Sequence, residues 1–175
     1  MYFRNSQWTY SPSDLVAYMR SPFESWMTRA AILNRELILL KDGEDEALKA
    51  LQDKGYQHEA DVYSELTHND SVRSIDINDF DKNDQASKTI EAMQQGFDVI
   101  YQARLSMAPF AGTADFLIKV DTPSHLGDFS YEVWDSKLAY TVKPYFVIQL
   151  CCYAQMLEQI QGILPISIGV MLGDK

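Results

Sequence analysis

The stretch "YEVWDSKLAY", residues 131–140, places an aspartate and a lysine two positions apart in a run that otherwise has the make-up of a strand. Side chains alternate faces along a strand. Tyr131, Val133, Asp135 and Lys137 therefore share one face, and Glu132, Trp134, Ser136 and Leu138 the other. Opposite charges on an otherwise apolar face are either an ion pair or a site, and the neighbouring segments bear on which.

Upstream, "FDVIYQARL" (97–105) and "GTADFLIKV" (112–120) are also strand-like, and turns with Pro109, Pro123 and Gly127 separate the three runs. Downstream, "KPYFVIQLCCYAQMLEQIQG" has a helical pattern with Gly162 past its end, and "LPISIGVML" is a last strand. Ahead of them, "GEDEALKALQDKGYQHEADVYSEL" reads as a helix with acids in its first turn, where they oppose the helix dipole. Residues 68–88 are polar and read as loop around one short strand, "VRSIDI"; "QASKTIEAMQQG" reads as a helix closed by Gly96. The first 43 residues form an N-terminal helical extension, one or two helices with Ser11 or Ser13 as N-cap and Pro22 as the interruption. From residue 44 to 175 the order is helix, strand, strand, strand, helix, strand, an α/β unit with a mixed central sheet flanked by helices.

A chain of 175 residues, 46% of them hydrophobic, is the size of one domain with a sizeable core. No run of about 18 apolar residues is present to span a membrane, and "MYFRNSQWTYSPSDL" lacks the layout of a signal peptide. Cys151 and Cys152 are adjacent within a helical pattern, with no CxxC partner, and read as small core hydrophobes. A reducing, cytoplasmic setting is expected. The formal net charge of −10 opposes broad, non-specific binding to nucleic acid but leaves room for a local basic groove near Lys137, Lys143 and Arg104.

Four sets of polar residues interrupt the apolar pattern. Asp115 shares a strand face with Thr113, Leu117 and Lys119. Asp135 and Lys137 share a face of the next strand. If those strands are neighbours, two carboxylates and an ammonium meet, and the carboxylates repel unless a cation lies between them; a hard divalent ion such as Mg²⁺ or Mn²⁺ suits that pair. His58 falls on the helical stripe Leu51, Gly55, His58, Val62, which should face the sheet, with Gly55 allowing close approach and Glu59 one position round. Gln149 and Tyr153 are four apart on one helix face. Each also has an ordinary structural reading: a core histidine, a strand ion pair, a turn-adjacent carboxylate, plain helix surface.

The ordered series His58, "GTAD" with Asp115, "WDSK" with Asp135 and Lys137, and "QLCCY" with Gln149 and Tyr153 resembles the RecB-like branch of the PD-(D/E)XK nuclease superfamily. The resemblance covers roughly residues 44–172, and the wording around "YEVWDSKLA" resembles nuclease domains at the N-terminus of larger bacterial helicase-type proteins. It implies a restriction-endonuclease-like core, as a piece of a longer protein. It also implies a Mg²⁺- or Mn²⁺-dependent deoxyribonuclease of DNA repair or recombination, acting on DNA that is single-stranded or has single-stranded ends. His58, Asp115, Asp135 and the Ser136 carbonyl would be ligands, Lys137 would act on the attacking water, and Gln149 and Tyr153 would position the scissile strand. Ala114 replaces the motif's proline. Several such nucleases carry an iron–sulfur cluster; here Ser21 stands where a Cys-Pro pair would be and no trailing cysteine triplet is present, so no cluster is expected. The alternative is a non-catalytic module of the same fold that docks a helicase or repair partner.

Overall fold

The computed structural model describes residues 1–34, 36–37 and 46–173. The boundary placed at residues 43 and 44, and the acids at 44 and 45, lie outside them.

The N-terminal segment is not helical throughout. It opens with a hairpin, β1 (Tyr2–Arg4) and β2 (Gln7–Thr9), paired in register Arg4↔Gln7. Asn5 and Ser6 make the two-residue turn with φ of 51° and 61°, the left-handed pair that matches strand twist. Two helices follow, α1 (Pro12–Arg20) and α2 (Pro22–Leu33). Ser11 caps α1 in a reciprocal box with Asp14. Ser21 ends α1 and starts α2, its hydroxyl accepting from Glu24 N–H at 3.1 Å. Pro22 occupies the first turn of α2, where its missing N–H costs nothing. The unit is tied to the sheet by main-chain bonds from Tyr10 N–H to Pro109 O and from Ala111 N–H to Tyr10 O.

The long helix α3 (Glu46–Leu66) leads to β3 (Ser74–Asp76), a 3-10 turn, and α4 (Gln85–Gln94), after which Gly96 takes φ 68°. Then come β4 (Val99–Met107), β5 (Phe110–Val120), β6 (Ser130–Lys137), α5 (Pro144–Gln161) and β7 (Ile168–Leu172). The five-stranded sheet runs β3-β4-β5-β6-β7; β4-β5-β6 are antiparallel neighbours, and the two outer strands pair in parallel. This is a mixed α/β architecture, and among the described residues no helix is long and apolar enough to cross a membrane.

The core has two parts. Ile100, Leu117, Tyr131 and Val133 pack with Met93 of α4 and with Leu150, Met156 and Leu157 of α5. On the other face Val99, Phe116 and Trp134 meet Val62 and Tyr63 of α3. The alternation expected for residues 131–134 is thus realised, Tyr131 and Val133 in one cluster and Trp134 in the other. The cysteines differ from expectation: Cys152 is buried and Cys151 is exposed, because adjacent helix positions point about 100° apart.

Candidate active-site cleft

Asp115 lies on β5, the middle strand, where regular pairing fails on both sides. Towards β4 the ladder runs Tyr101↔Phe116 and then Ala103↔Ala114, passing over Gln102, whose φ is 54°. A non-glycine residue at positive φ within a strand is strained. Towards β6 the last pair is Phe116↔Trp134. The next register position sets Asp115 opposite Asp135. There the main-chain ladder gives way to a side-chain contact: Ser136 N–H donates to Asp115 Oδ2 at 2.9 Å.

Asp135 is buried at 3% exposure, which is costly for a carboxylate without compensation. Lys137 Nζ lies 2.5 Å from Asp135 Oδ2, forming an ion pair without hydrogen-bond alignment, so that oxygen is buried and accepts no hydrogen bond. The same ammonium lies 5.7 Å from the centre of the Phe146 ring. Burial first, then Asp135, then Glu59, pushes the Asp115 carboxyl up to about 8. Two carboxylates this close cannot both ionise freely without a cation beside them.

Helix α3 supplies the third side of the site, with a correction to its expected rotation. Leu51 is exposed, and a Cβ at Gly55 would meet nothing within 4 Å, so no tight helix–sheet contact depends on this glycine. The buried residues of α3 are Glu59 and Val62. Glu59, one position round from His58, accepts a hydrogen bond from Gln102 Nε2. Burial pushes its carboxyl up, against hydrogen bonds from Tyr101 and Gln102. His58 is half-buried, and its Nε2 is a buried atom with no hydrogen-bond partner. The charges that act on Asp115 come from Asp135, Glu59 and Lys137.

A cleft of about 490 Å³ is walled by Gly55, Tyr56, Glu59, Asp115, Ser136 and Lys137, whereas Asp135 and His58 are not part of its lining. Tyr153 is buried on α5, its hydroxyl donating to Thr113 O at 2.6 Å, and burial followed by Asp115 and Asp135 raises its pKa. It therefore braces β5 two residues before Asp115. Arg104 does the same from β4, donating to Thr113 Oγ1 at 3.1 Å. Gln149 is half-buried on the same helix, and Lys143 is exposed at its N-cap.

The structure thus brings together Asp115, Asp135, Ser136 and Lys137, with Tyr153 behind them, and adds Glu59, Gln102 and Tyr101. Among the described residues no group of three His, Cys, Asp or Glu side chains forms a ready-made cation cage. Two features bear on a cation: the Asp135 carboxylate, whose buried Oδ2 accepts no hydrogen bond and is neutralised only by the Lys137 ammonium, and the Asp115 carboxyl beside it, which resists ionising alone. His58 Nε2 is buried without a hydrogen bond on α3, but the charges acting on Asp115 do not include it. Oxygen donors with one imidazole fit a hard divalent ion.

Comparison with known proteins found no match to this chain among family models, curated proteins or solved structures.

Proposed function

We propose that this chain is a divalent-cation-dependent deoxyribonuclease of the PD-(D/E)XK type, hydrolysing phosphodiester bonds in the cleft between α3, the middle of β5 and the end of β6. The observation that carries the reading is the position of Asp115 and Asp135. They face each other where the two strands stop pairing, and Lys137 lies against Asp135.

In this reading Asp115, Asp135 and His58 hold a Mg²⁺ or Mn²⁺ ion, with the Ser136 carbonyl as a fourth ligand. Such an ion neutralises phosphate charge and lowers the pKa of a bound water. Lys137 supplies the second positive charge, orients the water and stabilises the negative charge that grows on the phosphate. Tyr153 positions β5 through Thr113 O, and Gln149 on the same helix meets the scissile strand. Glu59 keeps the cleft electronegative and so favours cation entry. Proteins of helicase type, as separate partners or attached domains, are the expected company.

The test is incubation of the purified protein with end-labelled single- and double-stranded DNA in Mn²⁺, Mg²⁺ or EDTA. Shortened products in either cation and none in EDTA are expected. Intact DNA under every condition, with the protein folded and cation bound, would overturn the reading.

A further inference from the structure

The N-terminal unit holds a second cavity, away from the acid cleft. Its volume is about 360 Å³, and its walls include Tyr10, Leu15, Tyr18, Trp26, Phe110 and Arg29. That is room for one flat aromatic ligand rather than an extended one. Trp26 is 60% exposed and stacks with Phe23, ring centres 6.1 Å apart. A further run of rings, Phe3, Trp8, Tyr10 and Phe110, leads from the hairpin onto β5 with successive centres 5.0, 6.2 and 6.1 Å apart. Trp8, Tyr10 and Phe110 are half-buried, Phe110 against the main core, whereas Tyr18, Phe23 and Trp26 are exposed and would be poorly hydrated if nothing covered them.

Charge selects the occupant. Residues 1–34 carry Arg4, Arg20 and Arg29 against Asp14 and Glu24, in a chain whose net charge is −10. Arg20 is paired with Glu24, and the Asp14 carboxylate accepts from the Ser11 N–H and hydroxyl. Among the described residues neither Arg4 nor Arg29 forms an ion pair with a carboxylate. The Arg29 guanidinium lies 4.5 Å above the Trp8 ring. Stacking rings next to the Arg29 guanidinium, which has no carboxylate partner among the described residues, match a ligand that alternates flat bases with phosphates. A base-paired duplex hides its base faces, and an apolar peptide would cover this guanidinium without an anion.

We propose that this cavity binds an unpaired base of a nucleic-acid strand, with Trp26 and Tyr18 stacking on the base and Arg29 meeting the adjoining phosphate. Phe110 begins β5, five residues before Asp115, so about 17 Å of strand separates the cavity from the acid pair. A strand seated there is gripped at a distance from the bond to be cut. The inference takes nucleic acid as the substrate, as proposed above, but it is read without cleavage.

The experiment is fluorescence anisotropy of a labelled oligothymidylate of about 20 nucleotides with the full chain, at low salt and in EDTA. Trp26→Ala should weaken binding about tenfold or more, the scale of one stacked base, and Trp26→Phe should restore most of it. Arg29→Ala should weaken binding and reduce the salt slope by about one phosphate contact. A duplex of equal length should bind less tightly than the single strand. Wild-type affinity in both Trp26→Ala and Arg29→Ala would overturn the inference, as would equal affinity for the duplex or no binding at all. A Trp26→Ala change in sedimentation of the free protein, with oligonucleotide affinity unchanged, would instead make this face a contact between copies. Binding in EDTA without cutting in Mn²⁺ would sink the nuclease reading alone.

Discussion

Helices α3 and α5 flank the same sheet and are built to opposite ends. Helix α5 buries eight of its 18 residues, whereas α3 buries two of its 21, and one of those two is a glutamate. Leu150, Met156 and Leu157 lock α5 onto β4, β5 and β6. Helix α3 leaves Leu48, Leu51 and Tyr56 exposed and stands off the sheet far enough to open a cleft of about 490 Å³. The difference teaches that α5 provides stability through a broad apolar contact, whereas α3 meets the sheet through a small core around Val62 and the buried carboxyl of Glu59. A buried acid of this kind costs free energy that the packing of α5 has to offset.

The largest effect that would break this contrast is in the cores. Leu150→Ala should destabilise the protein by about 2–5 kcal/mol, whereas Leu51→Ala should stay within about 0.5 kcal/mol. Equal losses in urea unfolding would show that α3 is packed as tightly as α5.

A second effect concerns pH. The folded carboxyl of Asp115 titrates at about 8, well above an ordinary aspartate, so the folded state holds a proton that the unfolded chain gives up near pH 4. Stability from this group is full at acid pH and is lost as pH rises towards 8. In EDTA, Asp115→Asn should therefore become more stable relative to wild type between about pH 5 and pH 8, by on the order of 1 kcal/mol or more. Mn²⁺ should then stabilise wild type more than the variant. Melting curves with a gap that does not change with pH would show that neither burial nor Asp135 raises the Asp115 carboxyl.

Smaller again is the division of labour on α3. His58→Ala should weaken Mn²⁺ binding by about tenfold, because it removes the unpaired Nε2. Glu59→Gln should weaken it less, since its carboxylate is already held by Gln102. The reverse order in calorimetry would move the third ligand to Glu59. The smallest contrast lies within one dipeptide: Cys152→Ser should cost about 1 kcal/mol or more and Cys151→Ser about nothing, measured by thermal unfolding.

How much of this the sequence discloses depends on the strength of each local signal. The three long strands were legible because alternating runs bounded by Pro and Gly specify them, and their adjacency is what sets Asp115 opposite Asp135. Helix α5 and its Gly162 end were equally plain. The rotation of α3 was not, because a helix with so few buried apolar residues has no stripe strong enough to decide between His58 and Glu59. The hairpin at residues 2–9 was hidden because its turn uses Asn5-Ser6 rather than the Asn-Gly that advertises such turns. Gln102 gave no signal at all: nothing in its residue type announces a positive φ at the position where the β4–β5 ladder is interrupted.

The central claim is that Asp135 and Lys137 are a working pair with separate tasks and not an ion pair on a strand. The direct measurement is Mn²⁺ titration by calorimetry on Asp135→Ala and Lys137→Ala, alongside Mn²⁺-dependent cleavage of labelled DNA. Asp135→Ala should lose both cation binding and cleavage. Lys137→Ala should keep cation affinity close to wild type, since no ligand is removed, and lose cleavage by on the order of 10²–10⁴-fold. A folded Lys137→Ala protein that cuts DNA at the wild-type rate would contradict the account and return the pair to a structural role.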